Sequence, residues 1–354
     1  MPPIKLGIWA PVWGSFLGQK EEPSSVTEAT FDFNAKYIQY AESLGFHSVL
    51  LLDRSLNSTK GIEAPILEAW VTASALAPIT NSIELIVASR SAYRHPGLVA
   101  QMGANLDRIS KGRFAINIVS GWWGLEHDMN GIPFPEHDKR YDISAEVIEI
   151  LKKFWKGEVF DFNGEFFQIN QGITSPLPVR KPWPTIYFGG ESDAAIHLAA
   201  RAADVFLFNG RPLSLAKKLI SRVKIENVNY KKDLKFGMSA FVICRKTDSE
   251  AEEELERLIK SLGVSEELQG VDKDAIHKKT SSRSKGIGSN GGIAADLVGS
   301  ADTICERMIE FNKEGVELFL LQFHPMFEEI ERFSREVMPL LPIGKGQKTN
   351  PQGK

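Results

Sequence analysis

Short runs of apolar residues alternate with helical patterns along almost the whole chain. Eight of these runs predict buried parallel strands, at residues 5–10, 49–52, 83–88, 114–119, 185–188, 205–208, 236–244 and 318–323. The run at 49–52 is apolar at every position, as a strand covered on both faces requires. About eight βα units in a chain of this size predict an α/β fold, a TIM (β/α)8 barrel with insertions.

The division of the chain follows from the same pattern. No linker-like stretch separates two halves, so we expect a single domain over residues 1–342 and a polar C-terminal tail over 343–354. Residues 263–292 are rich in Ser, Gly and Lys, and we expect a mobile active-site lid there. A doubly wound open sheet is the alternative fold, although the first βα turn lacks the G-x-G-x-x-G pattern.

The composition excludes several classes of protein. Apolar residues make up 43% of the chain and charged residues 25%, which excludes a disordered or fibrous protein. A net charge of −3 gives no field that attracts nucleic acid or anionic lipid. Two cysteines build no disulfide framework, and we find neither a signal peptide nor an apolar stretch of about 18 residues. A cytoplasmic enzyme is therefore expected.

A glycine–serine turn follows the fifth predicted strand. In a barrel, chemistry takes place at the carboxyl ends of the strands, which is where Gly189, Gly190 and Ser192 lie. These residues lead into a helix, and a helix N-terminus with a capping serine favours a phosphate. The same residues also suit an ordinary turn, so both interpretations stay open from this segment alone.

Other candidate residues have ordinary explanations beside the functional ones. Alternation in the fourth strand places Asn117 on the face of Ala115 and Val119, where its amide needs a partner, either a flavin or nicotinamide ring or a neighbouring strand. Arg140 and Tyr141 suit a phosphate or a ring, and otherwise a solvated start of a helix. His137 and His324 are candidate proton carriers, although a lone histidine is more often structural.

Several catalytic patterns are missing from the sequence. It contains no H-E-x-x-H, paired C-x-x-C, G-x-S-x-G or P-loop pattern, and no metal site is expected. The carboxylates Asp53 and Glu126, at two strand ends, would in principle suit the catalytic pair of a glycosidase. The assignment requires the distance between the two carboxyl groups, which the sequence does not give.

Three segments occur in one order: RFAINIVSGW at 113–122, HDKRYD at 137–142 and IYFGGESDAA at 186–195. Together with LDRISKGRF at 106–114 and DFNGEFF at 161–167, they resemble the bacterial-luciferase-like flavin-dependent monooxygenases. The nearest resemblance is to the branch of dimethyl sulfone, alkanesulfonate and pyrimidine monooxygenases, and it extends from residue 6 to about residue 341.

The resemblance implies a luciferase-like TIM barrel that binds reduced, dissociable FMN and uses O2 as co-substrate. It also implies a separate NAD(P)H-dependent FMN reductase and a homodimer or homotetramer. The residues whose motifs match the family's flavin site are Asp53, Asn117, Glu126, Arg140, Tyr141, Gly189, Gly190 and Ser192. His137, His324 and the lid residue Arg283 are the expected catalytic residues.

The seventh predicted strand departs from the sulfonate enzymes of this family. Those enzymes have an Arg and a His where this chain has Ser239 and Phe241. A sulfonate needs charge-assisted donors, so the change favours a small neutral organosulfur compound, such as dimethyl sulfone, that is oxidised with C–S cleavage. Trp9 and Trp122 are expected to line the substrate pocket with these two residues.

Two other functions use the same barrel. One is an F420-dependent oxidoreductase, which would transfer hydride without O2. The other is a barrel that binds flavin without catalysis. A glycosidase or aldolase ranks lower, and absence of flavin binding would favour it.

Overall fold

A computed structural model of the protein describes residues 1–14, 29–58, 60–261 and 292–344. Within these ranges, eight parallel strands follow one another around a sheet that is closed because the strand Val205–Phe208 pairs with the strand Lys235–Cys244. They are β1 (Lys5–Trp9), β2 (Ser48–Leu51), β3 (Glu84–Arg90), β4 (Phe114–Val119), β7 (Thr185–Gly189), β8 (Val205–Phe208), β9 (Lys235–Cys244) and β11 (Val316–Gln322). The predicted TIM barrel is confirmed, and the open sheet is wrong.

Helices surround this barrel, most of them on its outer face. They are α1 (Phe31–Ser43), α2 (Ala69–Leu76), α3 (Pro96–Ile109), α4 (Gly124–Met129), α5 (His137–Lys156), α6 (Asp193–Ala202), α7 (Leu213–Asn227), α8 (Asp248–Ser261), α9 (Ala301–Glu314) and α10 (Met326–Glu336). The strands are buried on both faces, since one face packs on these helices and the other fills the barrel. This explains the uninterrupted apolar runs of the sequence.

In the part of the chain that the structure describes, three more strands lie outside the barrel. The strands β5 (Phe160–Asn163) and β6 (Gln168–Gly172) form an antiparallel hairpin. The sequence predicts a two-residue turn at Asn163-Gly164, but the strands are joined by the four residues 164–167. The strand β10 (Leu297–Gly299), which the sequence pattern did not reveal, pairs with the end of β9.

Helix starts account for the other local differences. Thr303 is predicted to begin a capping box, but the N-cap of α9 is Ser300, whose side chain accepts a hydrogen bond from the Thr303 backbone N–H. The predicted helix at 64–76 begins only at Ala69, with Glu68 as its N-cap. The last helix ends at Glu336 rather than near 340, and a 3₁₀ turn at Met338–Leu340 follows it.

Two expectations concern residues outside the described ranges. The proposed lid at 263–292 lies outside them except for Gly292, and so does the tail beyond residue 344. Among the described residues, no helix has the length and apolar character needed to cross a membrane.

Candidate active site

The register of the strands determines which side chains line the barrel. Phe114 packs on Trp70 of α2, with ring centroids 5.6 Å apart, so Phe114 faces the helices. Successive residues of a strand face opposite sides, which turns Asn117 into the barrel. Residues that pair across neighbouring strands point to the same side of the sheet. Tyr187, which pairs with Asn117, therefore also points into the barrel, and so do Leu318 and Gly237, which pair with each other further around it.

The same register assigns most of the predicted pocket residues to the interior. The inward-facing residues near the carboxyl ends of the strands include Trp9, Arg90, Asn117, Gly189, Ser239, Phe241 and Gln322. Trp9 and Phe241 are buried, with 1% and 0% of their surface exposed. Three of the four predicted substrate-pocket residues, Trp9, Ser239 and Phe241, therefore share this wall of the barrel.

Asn117 has an unusual environment for a buried amide. Its side chain is buried, and the Oδ1 atom has no hydrogen-bond partner among the described residues. A buried acceptor without a donor costs about 1–3 kcal/mol, so the position suits a ligand that supplies the donor. A flavin ring carries such donors and acceptors.

Residues from two separate predicted segments come together at the start of α6. Gly190 has φ 145°, and a Cβ built on it would lie 2.7 Å from Cβ of Ala195 and 3.4 Å from the hydroxyl oxygen of Tyr141. Ser192 is the N-cap of α6, and its hydroxyl accepts a hydrogen bond from the Ala195 backbone N–H. The close approach of Tyr141 to this turn forms a cradle that suits a phosphate.

Arg140 is held beside the loop that follows β4. It is buried, and its Nη1 atom donates to the carbonyl oxygen of Gly121 at 2.6 Å. Its guanidinium also lies 4.4 Å from the centroid of the Phe134 ring. These contacts position the start of α5, where Tyr141 follows.

Glu126 holds together the loops at the mouth of the barrel. Its Oε1 atom accepts hydrogen bonds from the backbone N–H groups of Ser55 and Leu56, at 2.8 and 3.1 Å. Its Oε2 atom lies 3.2 Å from both Arg54 and Arg90. Both oxygens are thus engaged by the protein, and these contacts position the loops on which Ser55 and Arg54 lie.

Asp53 belongs to the same network of charges. Its carboxylate accepts from the Arg90 backbone N–H at 2.9 Å and from Arg94 Nη1 at 2.7 Å. Burial alone would raise the pKa of Asp53, but Arg90 and Arg94 outweigh burial and hold the pKa below its ordinary value. Asp53 is therefore ionised and paired with both arginines.

The sequence analysis missed the arginines Arg90 and Arg94 of this network. Arg90 is the last residue of β3 and Arg94 follows that strand, 37 and 41 residues after Asp53, and nothing in local sequence spacing reveals pairs so far apart. Trp122 lies on the network, because the Arg54 guanidinium stacks over its ring at 4.1 Å. The signal that would have revealed Arg90 and Arg94 is the position of the segment SRSAYR, residues 89–94, directly after the predicted strand at 83–88.

The predicted catalytic residues lie in different environments. His137 begins α5, pairs with Asp138 at 2.7 Å and has its ring 5.1 Å from that of Tyr141, which places it near the cradle at α6. His324 is buried beyond the end of β11, and burial lowers its pKa to about 4. It is thus neutral at neutral pH and a poor proton donor there. Arg283 lies outside the described residues.

The described ranges contain no group of three His, Cys, Asp or Glu side chains arranged to hold a metal ion.

Comparisons with known proteins identify the family of the chain. The sequence pattern of the luciferase-like monooxygenase family matches residues 13–318. An FMNH2-dependent dimethylsulfone monooxygenase of Pseudomonas putida is 33% identical, and the match covers 96% of this chain and 95% of that protein.

Two solved structures share the fold at low sequence identity. Riboflavin lyase (RcaE), crystallised with modified FMN and riboflavin, has a TM-score of 0.81 at 19% identity, over 98% of this chain and 94% of that chain. DmoA from Hyphomicrobium sulfonivorans has a TM-score of 0.77 at 17% identity, over 96% and 88%. With a barrel of this topology and a family match over most of its length, the chain belongs to the luciferase-like monooxygenase family.

Proposed function

We propose that the protein uses reduced FMN and O2 to oxidise a small, neutral organosulfur compound with C–S cleavage, and that dimethyl sulfone is the preferred substrate. The observation that carries the proposal is the neutral inner wall: Ser239 and Phe241 face the interior of the barrel. The inward-facing Arg90 is paired with Asp53 and Glu126, which compensate its charge. Arg90 Nε and Nη1 form no hydrogen bond in the described protein, but the two carboxylates compensate the charge, so an anionic sulfonate gains less here than beside an uncompensated cation. The name of the relative from Pseudomonas putida supports the same substrate.

The residues of the site fit the proposed cofactor. The unpartnered Oδ1 of Asn117 suits the polar edge of the flavin ring, while Tyr141, Gly190 and Ser192 suit its phosphate. His137 lies beside Tyr141, so we place it at the phosphate end and not at the reacting atoms. When bound, reduced FMN supplies the electrons that activate O2.

The chain's own residues supply the environment for this chemistry. Trp9 and Phe241 present apolar surface that excludes water from the interior. Neutral His324 adds no cation near the ends of the strands at neutral pH. Insertion of one oxygen atom into a methyl C–H bond of dimethyl sulfone forms a hydroxymethyl sulfone, which splits at the C–S bond into formaldehyde and methanesulfinate.

The proposal includes partners. Reduced FMN would come from a separate NAD(P)H-dependent reductase, and the enzyme would be a homodimer or homotetramer, as the sequence resemblance implies. The roles of the lid at 263–292 and of Arg283 are part of the same proposal.

The test is an anaerobic mixture of protein, reduced FMN and dimethyl sulfone, which is then mixed rapidly with air-saturated buffer. We expect formaldehyde and methanesulfinate in amounts that match the flavin oxidised, with methanesulfonate a much poorer substrate. Oxidation of FMN to free peroxide with every sulfur compound would contradict the proposal. Substrate-dependent reduction of F420 without O2 consumption would favour the hydride-transfer alternative.

A further inference from the structure

Trp9 carries a hydrogen-bond donor that the described protein leaves unused. It is the last residue of β1, faces into the barrel and has 1% of its surface exposed. Its indole Nε1 atom is buried and has no acceptor among the described residues. A buried N–H without a partner is destabilising, so an acceptor that arrives with a ligand would explain it.

A second unused donor lies close by on the same wall. Ser239 of β9 faces inward, and its hydroxyl oxygen accepts a hydrogen bond from Gln322 Nε2 at 3.1 Å. In this bond the Ser239 oxygen is the acceptor, so the hydroxyl hydrogen is not used by Gln322 and is available to a ligand. Gln322 thereby orients the Ser239 hydroxyl as a donor.

The order of the strands brings these two donors together. The strand β11 lies between β9 and β1, and the pairing of Ile8 with Leu321 brings Trp9 alongside Gln322. Two strand spacings and an offset of two residues along the strands separate the backbones of Trp9 and Ser239 by about 12 Å, and the long indole side chain shortens the gap between the donors. Phe241, paired with Gln322, supplies apolar surface next to them.

We propose that the Trp9 indole N–H and the Ser239 hydroxyl bind the two oxygens of a sulfonyl group, with Gln322 as the residue that positions the hydroxyl. The inference rests on the proposed function and assigns its substrate class to specific atoms. A sulfone presents two acceptor oxygens, no donor and no net charge, which complements two neutral donors. A sulfide lacks both oxygens, and a sulfonate carries a charge that neutral donors stabilise less than cations do.

Two variants remove the donors and keep the surrounding shape. Trp9→Phe keeps an aromatic ring without the N–H, and Ser239→Ala removes the hydroxyl. Trp70→Phe is the matched control, because the Trp70 indole N–H is also buried without a partner but lies outside the barrel against Phe114. Ser48→Ala is the control for the hydroxyl, since Ser48 is buried, unpartnered and inward-facing at the opposite end of the barrel.

The measurement is equilibrium binding of dimethyl sulfone and of dimethyl sulfide to the FMN-loaded protein, followed by KM and kcat for dimethyl sulfone. Each donor variant is expected to weaken sulfone binding about tenfold and to raise KM by a similar factor. The donor variants should bind dimethyl sulfide and FMN as the wild type does. Both control variants should bind dimethyl sulfone, dimethyl sulfide and FMN as the wild type does.

The results separate this inference from the proposed function. If the sulfone binds both donor variants as tightly as the wild type, the donor assignment is wrong, even if the enzyme oxidises sulfone. If the wild type binds sulfone through these donors but does not oxidise it, the assignment holds and the proposed reaction is wrong. A wild type that binds no sulfone overturns the assignment, and a wild type that oxidises only other compounds overturns the substrate choice as well.

Discussion

At the scale of single residues, the charges at the mouth of the barrel are held by Glu126. This carboxylate is 2% exposed and meets two backbone N–H groups and two guanidinium groups. A buried carboxylate is stable only when it is paired, and loss of one partner leaves the others uncompensated. The family resemblance predicts that Glu126 is a site residue, and its contacts with Arg54 and the backbone of residues 55–56 support a positioning role.

Glu126→Gln is expected to lower the free energy of unfolding by about 3 kcal/mol, because Arg54 and Arg90 lose a buried counter-charge. Chemical denaturation measures the change. Glu68→Gln is the control, since Glu68 also pairs with an arginine, Arg94, but its side chain is 39% exposed. Glu68→Gln should lower the free energy of unfolding by less than about 1 kcal/mol. Equal effects of the two substitutions would show that the network does not depend on the buried charge.

His324 predicts a dependence of stability on pH. Burial, helped by Arg257 and opposed by Glu254 and Glu328, lowers its pKa from 6.5 to about 4. Between these values the unfolded chain binds a proton that the folded chain does not, so stability falls as the pH falls. Because of His324, the free energy of unfolding is expected to fall by about 2 kcal/mol between pH 7 and pH 5.

The measurement for His324 is denaturation at both pH values. His324→Asn should lose this part of the pH dependence, whereas His197→Asn, at an exposed side chain paired with Glu226, should keep it. A wild type and a His324→Asn variant with the same dependence on pH would refute the assignment.

At the scale of elements, two serines cap helices in the same way, but only one of them lies at the proposed phosphate site. Ser192 and Ser300 are the N-caps of α6 and α9, with nearly the same backbone angles and the same hydrogen bond to the N–H three residues later. The sequence turn Gly189-Gly190-Glu191-Ser192 predicts the first cap. The second was placed three residues too late, because Thr303 and Glu306 imitate a capping box.

Ser192→Ala and Ser300→Ala are each expected to cost about 1 kcal/mol of stability, since each removes one cap. Ser192→Ala alone should also weaken FMN binding, by about tenfold, because the proposed phosphate site is at the start of α6 beside Tyr141. Thermal unfolding and quenching of FMN fluorescence measure the two effects. A loss of FMN affinity in both variants would show a general effect of destabilisation instead.

At the scale of the whole molecule, the closed barrel was predictable and the paired charges were not. Eight apolar strands separated by helices specify the barrel, and alternation within the 114–119 strand already placed Asn117, Ala115 and Val119 on one face. The network of Asp53 with Arg90 and Arg94 depends on strand register, which joins residues about 40 positions apart. Local patterns carry no information about such pairs.

The two ends of the barrel are therefore expected to divide stability from function. At the amino end, Glu84 accepts a hydrogen bond from the Tyr187 hydroxyl at 2.7 Å and pairs with Arg180 at 2.8 Å. Glu84→Gln should cost about 1–3 kcal/mol of stability while kcat and FMN affinity change less than twofold. Tyr187 stays a donor, because burial and the charge of Glu84 raise its pKa well above its ordinary value.

Substitution of Asn117 is expected to reduce activity and leave stability nearly unchanged, the reverse of the effect of Glu84→Gln. Its Oδ1 is buried without a partner in the described protein, so Asn117→Ala removes an unsatisfied group and should leave the free energy of unfolding within about 1 kcal/mol of the wild type. Turnover should fall at least about tenfold, because the flavin ring loses the hydrogen-bond partner that holds it in place. Urea denaturation and O2 consumption measure both quantities on the same variants. If Asn117→Ala destabilises the fold as much as Glu84→Gln and turns over normally, then Asn117 is a structural residue and the flavin ring lies elsewhere in the barrel.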